Sequence, residues 1–218
     1  MKLIREVVES VDFMTEEVDG KKKLYLQGPF LQSEIANKNK RIYRCETLER
    51  ECQRYLKEKI ENKCAYGELG HPATPNINLD RVAIHIKGLK REGNDFIGKA
   101  LVASTPMGQI VRGLYEDGAK LGVSSRGLGS IKKNKDGLDE VQDDYHLSTP
   151  ADVVAEPSAP GAYVGGIMEN VDYWFDAAKG TYAERVIEQH VEEISQATLK
   201  EIEARKFRMF EEFIRSLS

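Results

Sequence analysis

Two adjacent serines, Ser124 and Ser125, are the residues whose type and surroundings best suit chemistry. They lie in the stretch GVSSRGLGS at residues 122–130, which holds three glycines, three serines and one arginine. Glycine lets a backbone approach a ligand closely and turn its amide groups towards an anion. A serine in such a stretch suits a nucleophile beside an oxyanion site. A phosphate cradle and a simple tight turn are the alternatives that this composition leaves open.

A nucleophilic serine needs a base, and His71 is the candidate. It stands between Gly70 and Pro72 in a loop rich in glycine and proline, and the proline favours an extended backbone rather than a helix. Asp152, at the start of an apolar strand, supplies a carboxylate that could orient an imidazole. Residue types alone make a serine hydrolase one option. The absence of GxSxG disfavours an α/β-hydrolase, and the absence of nucleotide-binding motifs gives a phosphate cradle little support.

Composition narrows the class of protein further. The 218 residues are 40% hydrophobic and 31% charged, and the net charge of −4 gives no electrostatic basis for nucleic-acid binding. Three cysteines without a CxxC pair predict neither a disulfide framework nor a zinc site, and they favour a reducing compartment. The charged N-terminus and the lack of a long apolar run predict no signal peptide and no membrane span. We therefore expect a soluble intracellular protein without a metal or cofactor.

Hydrophobic periodicity predicts the elements that must position these side chains. The predicted strands are 24–36, 81–87, 96–103, 138–148 and 151–155, with a hairpin turn at 93–95. The predicted helices are 47–62, 105–118 and a long charged helix from 182 to the end. In this reading Asp152 lies on a strand, His71 in a loop, and the serines in a turn after the second helix.

Four segments together resemble the prohead core protein proteases of T-even-type tailed phages. They are NKNKRIY at 37–43, GELGHP at 67–72, GVSSRGLGS at 122–130, and DVV at 152–154 followed by PSAP at 157–160. They occur in the family order and span roughly residues 24–163. One departure is Gly70, where a polar residue such as Asn is expected.

The resemblance implies an α+β fold similar to herpesvirus assemblins, with a mostly antiparallel β-barrel surrounded by helices. The long C-terminal helix is predicted from its apolar periodicity alone and has no motif that matches the family. We therefore divide the chain into a protease domain at residues 1–180 and a C-terminal helical extension at 181–218.

The resemblance also implies a serine endopeptidase with Ser124 as nucleophile, His71 as general base and Asp152 as third member. Glu68 is the alternative acid for orienting the imidazole, and Ser125 is the alternative nucleophile. The expected oxyanion donors are the backbone N–H groups of two further residues, Arg126 and Gly127.

By the same resemblance, the enzyme acts inside the phage prohead in the host cytoplasm, on scaffold or core proteins and on the major capsid protein. Cleavage is expected after Glu in a Leu/Ile-x-Glu context. Residues 167–169 (IME) and 199–201 (LKE) fit that pattern, which suggests self-cleavage and loss of the terminal helix. No nucleic-acid or membrane partner is expected, and a homo-oligomer is one option. The alternative is a non-catalytic capsid scaffold or tube-like structural protein.

Overall fold

The computed structural model describes residues 1–8, 11–18, 20–37, 39–70, 72–155, 171–176, 179 and 181–186. In these ranges the chain forms thirteen strands and two α-helices. The strands are β1 (Lys2–Val8), β2 (Asp12–Val18), β3 (Lys21–Gln32), β4 (Arg41–Tyr43), β5 (Tyr66–Glu68), β6 (Val82–Glu92), β7 (Asp95–Val102), β8 (Leu121–Gly129), β9 (Ile131–Lys133), β10 (Asp139–Val141), β11 (His146–Ala155), β12 (Val171–Asp176) and β13 (Thr181–Val186). The helices are α1 (Cys45–Tyr55), extended by a π-helical segment at Leu56–Ile60, and α2 (Pro106–Glu116), and a 3₁₀ turn spans Leu79–Arg81.

Two larger sheets form the body of the protein. One is a five-stranded antiparallel sheet with the order β2-β3-β7-β6-β5. The other is a three-stranded antiparallel sheet, β1-β8-β11, with β8 in the centre. A parallel bridge between Leu69 and Val153 links the end of β5 to β11. The two sheets therefore meet beside Glu68 and Asp152, two of the candidate site residues.

A shared apolar core holds these sheets together. One buried cluster takes Phe30 from β3, Ile84 from β6, Val123 from β8 and Val153 from β11. Along β7, buried residues alternate with half-buried ones, as expected for a strand with one face on a core. Val123 and Val153 therefore anchor the strands that carry Ser124 and Asp152 in this core.

Several predicted elements are confirmed. The hairpin turn between β6 and β7 consists of Gly93 and Asn94, and Gly93 takes a φ of +64°, which glycine adopts without strain. The second helix begins as predicted, because Thr105 Oγ1 accepts a hydrogen bond from the N–H of Gly108 at 3.2 Å and Pro106 is the first helical residue.

The expected barrel surrounded by helices is wrong. In the described ranges the strands form four open sheets, none of which closes into a barrel, and only two α-helices accompany them. Neither helix is long and apolar enough to cross a membrane. Alternating hydrophobicity identifies strands but does not specify which edges pair, so the sequence pattern could not distinguish packed sheets from a closed barrel.

The predicted C-terminal helix is also wrong where it can be compared with the structure. Thr181–Val186 form β13, paired antiparallel with β12 from Val171↔Val186 to Asp176↔Thr181. β-branched and aromatic residues in this segment favour a strand, and pairing with β12 supplies the hydrogen bonds. Residues 187–218 lie outside the described residues. The division of the chain at residue 180 stays a prediction.

The turn predicted at residues 122–130 is a strand. These residues form most of β8, which is buried along its whole length and paired on both sides. Gly127 allows close packing of β8 against Tyr145, since a Cβ on Gly127 would lie 2.5 Å from the Tyr145 side chain. None of the glycines in β8 has a positive φ. A tight turn and a phosphate cradle are therefore both excluded for this segment.

Candidate active site

Ser124 lies in the middle of β8, between two partner strands. It is opposite Val7 of β1 on one side and opposite Asp152 of β11 on the other. The residue has no exposed surface (0%), and its Oγ donates a hydrogen bond to the backbone carbonyl of Glu6 at 2.9 Å. Ser125, the alternative nucleophile, is also buried and lies opposite Glu6.

Arg126 is the charged centre of this region, and it is fully buried. Its Nε donates to Asp152 Oδ2 at 2.5 Å, and its Nη2 donates to Asp152 Oδ1 at 3.1 Å. The same Nη2 lies 3.3 Å from Glu68 Oε1, and Nη1 donates to the carbonyl of Thr74 at 2.5 Å. One guanidinium therefore ties β8 to β11, to β5 and to the loop that follows β5.

Asp152 is held from two directions. Besides the two bonds from Arg126, its Oδ1 accepts the backbone N–H of Glu68 at 2.8 Å. Burial raises the pKa of Asp152 to about 6, while Arg126 and the Glu68 amide act in the opposite direction. Both carboxylate oxygens are thus engaged by protein donors, which identifies Asp152 as the main counter-ion of Arg126.

Glu68 has one oxygen that accepts a hydrogen bond and one that has no hydrogen-bond donor among the described residues. The side chain is fully buried, and Oε1 accepts the N–H of Asn78 at 2.7 Å. Among the described residues, no donor forms a hydrogen bond to Oε2, although Arg81 Nε lies 3.4 Å away. A buried acceptor without a donor is costly, so this oxygen is suited to receive a further N–H.

The chain next to His71 is fixed on β11, while His71 itself lies outside the described residues. The N–H of Gly70 donates to the carbonyl of Val153 at 2.8 Å, one residue beyond Asp152. Gly70 has a φ of +83°, a conformation that glycine adopts freely and Asn tolerates better than most residues. This explains why Gly can replace the expected Asn at this position.

The predicted oxyanion donors, the N–H groups of Arg126 and Gly127, lie in β8 and not in an open loop. The pairing with β11 is irregular beside them. Thr149 lies opposite Arg126 and Asp152 opposite Ser124, so two residues of β11 face Ser125 alone. Such bulges re-aim backbone and side-chain groups and often occur beside active sites. The assignment of these two amides as oxyanion donors stays a prediction.

Sequence reasoning missed two features of the site. It gave Arg126 only a backbone role, although an arginine among small residues of a strand signals a buried charge that needs acidic partners. It also missed Glu6, because nothing in the sequence pairs residue 6 with residue 124. The structure brings together Ser124, Arg126, Glu68 and Asp152, and it adds Glu6 on the β1 side.

Comparison with known proteins identifies the family to which the chain belongs. The profile of the family described as prohead core protein serine protease matches residues 5–172. The chain therefore belongs to this family and is a serine protease, which sets aside the non-catalytic alternative.

One related sequence and one solved structure, both from phage T4, show the same similarity. The chain is 36% identical over 174 residues to the prohead core protein protease of Enterobacteria phage T4, covering 73% of this chain and 78% of the relative. The solved structure of the bacteriophage T4 capsid assembly protease, gp21, matches with a TM-score of 0.68 and 32% identity. That match covers 72% of this chain and 98% of the solved chain.

Proposed function

We propose that this protein is the maturation protease of a phage prohead, a serine endopeptidase that cleaves scaffold or core proteins and capsid proteins inside the assembling particle. Membership of the prohead core protein serine protease family is the observation that carries the proposal. The relative from phage T4 is named a prohead core protein protease, and the solved relative a capsid assembly protease. The place of action would be the interior of the prohead, and the substrates would be the proteins that line it.

In the proposed reaction, Ser124 Oγ attacks the scissile carbonyl carbon and His71 takes the hydroxyl proton. His71 then gives that proton to the leaving amine, and water hydrolyses the acyl-enzyme by the same steps. Backbone N–H groups of Arg126 and Gly127 are the proposed donors to the tetrahedral oxyanion. Since the substrate carbonyl must come within bonding distance of a fully buried Oγ, the covering structure has to move before attack.

The geometry favours Ser124 over Ser125 as nucleophile. Successive side chains of a strand point to opposite faces, so Ser124 shares a face with Arg126 and Ser125 lies on the other. The side chain of Arg126 reaches Asp152, Glu68 and the carbonyl of Thr74. Glu68 and Thr74 each lie three residues from His71 in the sequence. The nucleophile belongs on the face where the base and its acid partners are expected.

Two acids compete for the role of orienting His71. Asp152, the expected third member, already accepts hydrogen bonds from Arg126 and Glu68 on its two oxygens. Glu68 has a buried oxygen, Oε2, to which no described residue donates a hydrogen bond, although Arg81 Nε lies 3.4 Å away. This inventory of donors and acceptors favours Glu68 as the orienting acid, with Asp152 holding Arg126 in place.

The proposed site is tested by labelling with a fluorophosphonate and by digestion of co-expressed scaffold and capsid proteins. Ser124→Ala should abolish both labelling and digestion, while Ser125→Ala should leave the probe on Ser124. Glu68→Gln should lower kcat by about 10⁴-fold if Glu68 fixes the histidine tautomer, with a smaller effect for Asp152→Asn. Labelling and processing that both persist in Ser124→Ala would overturn the assignment.

Self-cleavage is the finer part of this proposal. Glu169 and Glu201 end two segments of Leu/Ile-x-Glu type, and both lie outside the described residues. Intact-mass measurement should show a shortened chain in the wild type, the full chain in Ser124→Ala, and loss of one product in Glu201→Gln. A wild-type preparation that digests scaffold yet keeps its full mass would exclude self-cleavage.

A further inference from the structure

The loop that follows His71, residues 72–78, is joined to the β12–β13 hairpin by the side chain of Asn76. Asn76 Nδ2 donates to the carbonyl of Tyr182 at 2.8 Å, and the N–H of Tyr182 donates to Asn76 Oδ1 at 3.0 Å. The side-chain amide therefore exchanges two hydrogen bonds with the backbone of Tyr182, as a residue of a neighbouring antiparallel strand does. Both polar ends of this side chain are engaged by β13.

The backbone of the same loop is bonded to the charge cluster. The carbonyl of Asn76 lies 3.4 Å from Arg126 Nη1, which also donates to the carbonyl of Thr74 at 2.5 Å. Thr74 Oγ1 accepts the N–H of Asn76 at 3.3 Å, which keeps these two residues together. Two residues further on, the N–H of Asn78 donates to Glu68 Oε1 at 2.7 Å. The 72–78 loop thus lies between the buried charges on one side and β13 on the other.

Tyr173 of β12 makes a second contact with the 72–78 loop. Its hydroxyl donates to the carbonyl of Ala73 at 2.9 Å, two residues after the proposed base. The side chain of Tyr173 is buried and packs in one apolar cluster with Leu3 of β1 and Leu128 of β8. The hairpin is therefore anchored on the sheet that contains the proposed nucleophile, and from there it holds the loop.

These contacts fix the chain on both sides of the proposed base. On one side the N–H of Gly70 donates to the carbonyl of Val153, and on the other the carbonyl of Ala73 accepts the Tyr173 hydroxyl. Only His71 and a proline separate these two held positions in the sequence. A general base must come within about 2.6–3.2 Å of the proton that it takes, and a misplacement of about 1 Å can cost about 100-fold in rate. The anchoring of this loop therefore bears directly on catalysis.

We propose that Asn76 is a positioning residue of the active site, which sets the place of the His71 imidazole by holding the 72–78 loop on β13. Tyr173 supports the same loop from β12. The inference rests on the proposed role of His71 as general base. The family profile ends at residue 172, so the contact with Tyr182 is made by a part of the chain that the profile does not cover.

The test measures the rate at which a fluorophosphonate labels Ser124 in the full chain. Asn76→Ala removes two hydrogen bonds and should lower the maximal labelling rate by about 10- to 100-fold, while the half-saturating probe concentration changes by less than about 2-fold. Tyr173→Phe removes the hydrogen bond to Ala73 and keeps the ring in its apolar cluster, so labelling should slow by about 2- to 10-fold. Thermal melting checks that each variant is folded, and Tyr173→Phe serves as the test if Asn76→Ala does not fold.

Each variant has a matched control. Asn134→Ala also removes two hydrogen bonds, since Asn134 Oδ1 accepts the N–H groups of Asp136 and Leu138 at 2.9 and 3.0 Å, but this turn joins β9 to β10 in a different sheet. Tyr182→Phe makes the same change as Tyr173→Phe in the same hairpin, and it keeps the two backbone hydrogen bonds of residue 182 to the loop. Both controls should label at the wild-type rate.

NMR of the histidine rings provides the second readout, with the signals of His71 assigned through His71→Ala. In Asn76→Ala and in Tyr173→Phe the His71 signals should shift, because the proposed effect is a displacement of this ring. The signals of His85, which contacts Tyr66 on the five-stranded sheet, should keep their wild-type positions. A merely structural role of the hydrogen bonds would lower the melting temperature without this selective shift.

The outcomes separate the positioning role from the proposed chemistry. Slower labelling of Asn76→Ala and Tyr173→Phe, together with a selective shift of the His71 signals, would support the proposal. Labelling within about 2-fold of the wild-type rate in the folded variants, or slow labelling with unchanged His71 signals, would overturn the positioning role and leave the protease assignment intact. Labelling of His71→Ala at the wild-type rate would instead overturn the proposed base, and the positioning role with it.

Discussion

The buried charge on Arg126 makes a quantitative prediction about stability. The guanidinium is fully buried between two carboxylates, Asp152 and Glu68, with contacts of 2.5 Å and 3.3 Å. Arg126→Met leaves both carboxylates without their main partner, and breaking one partner of a buried ion pair costs about 3–5 kcal/mol. At an m value of about 2 kcal/mol/M, the urea midpoint should fall by about 1.5–2.5 M.

Urea unfolding followed by circular dichroism measures this loss, and Glu92→Gln is the matched control. Glu92 pairs with Lys90 at 3.2 Å on the surface, with both side chains more than half exposed, so its replacement should change the free energy of unfolding by less than about 1 kcal/mol. Adding Asp152→Asn to Arg126→Met should recover about 1–3 kcal/mol relative to the sum of the single changes, because neighbours couple. Equal midpoint shifts for Arg126→Met and Glu92→Gln would refute the reasoning.

Two further predictions concern packing and pH. Gly127→Ala places a methyl group 2.5 Å from the Tyr145 ring, so it should lower the free energy of unfolding by about 1–3 kcal/mol. Gly113→Ala, where nothing lies within 4 Å of the added Cβ, is its control and should be neutral or slightly stabilising. For Asp152, burial raises the pKa from 3.8 to about 6, so between these values the folded state holds more protons than the unfolded one. This group's contribution to the free energy of unfolding should therefore fall as pH rises from 4 to 6, by at most about 3 kcal/mol. The difference between wild type and Asp152→Asn in urea unfolding at these pH values measures it, and a difference independent of pH would contradict it.

The sequence predicted best where local chemistry decides. The cap at Thr105 and the turn at Gly93 follow from hydrogen bonds and φ preferences within a few residues, and both are confirmed. The turn predicted at residues 122–130 is wrong because glycine occurs both in turns and at sites of tight packing, and the contact with Tyr145 shows that Gly127 is needed for packing. Likewise, the strand at Thr181–Val186 depends on its pairing with β12, which no local pattern reveals.

At the candidate site, residue types led to the right region but not to the contacts within it. Ser124 and Asp152 were chosen separately, and the structure places them opposite each other in neighbouring strands. The ion pair of Arg126 with Asp152 joins residues that are 26 positions apart in the sequence. The hydrogen bond from Ser124 to Glu6 joins residues that are 118 positions apart. Contacts at such separation depend on topology, which a single sequence does not encode in any local signal.

The contacts of Arg126 and Asp152 also determine when this charge cluster can form during synthesis of the chain. The bonds at the site join Glu68 to Asp152 across 84 residues and Thr74 to Arg126 across 52. Loops of this length close late, because their entropy is lost before the contacts form. Before β11 has left the ribosome, Asp152 is not available to Arg126, so the charge cluster cannot form. The charge cluster therefore assembles only after most of the described part of the chain has been synthesised.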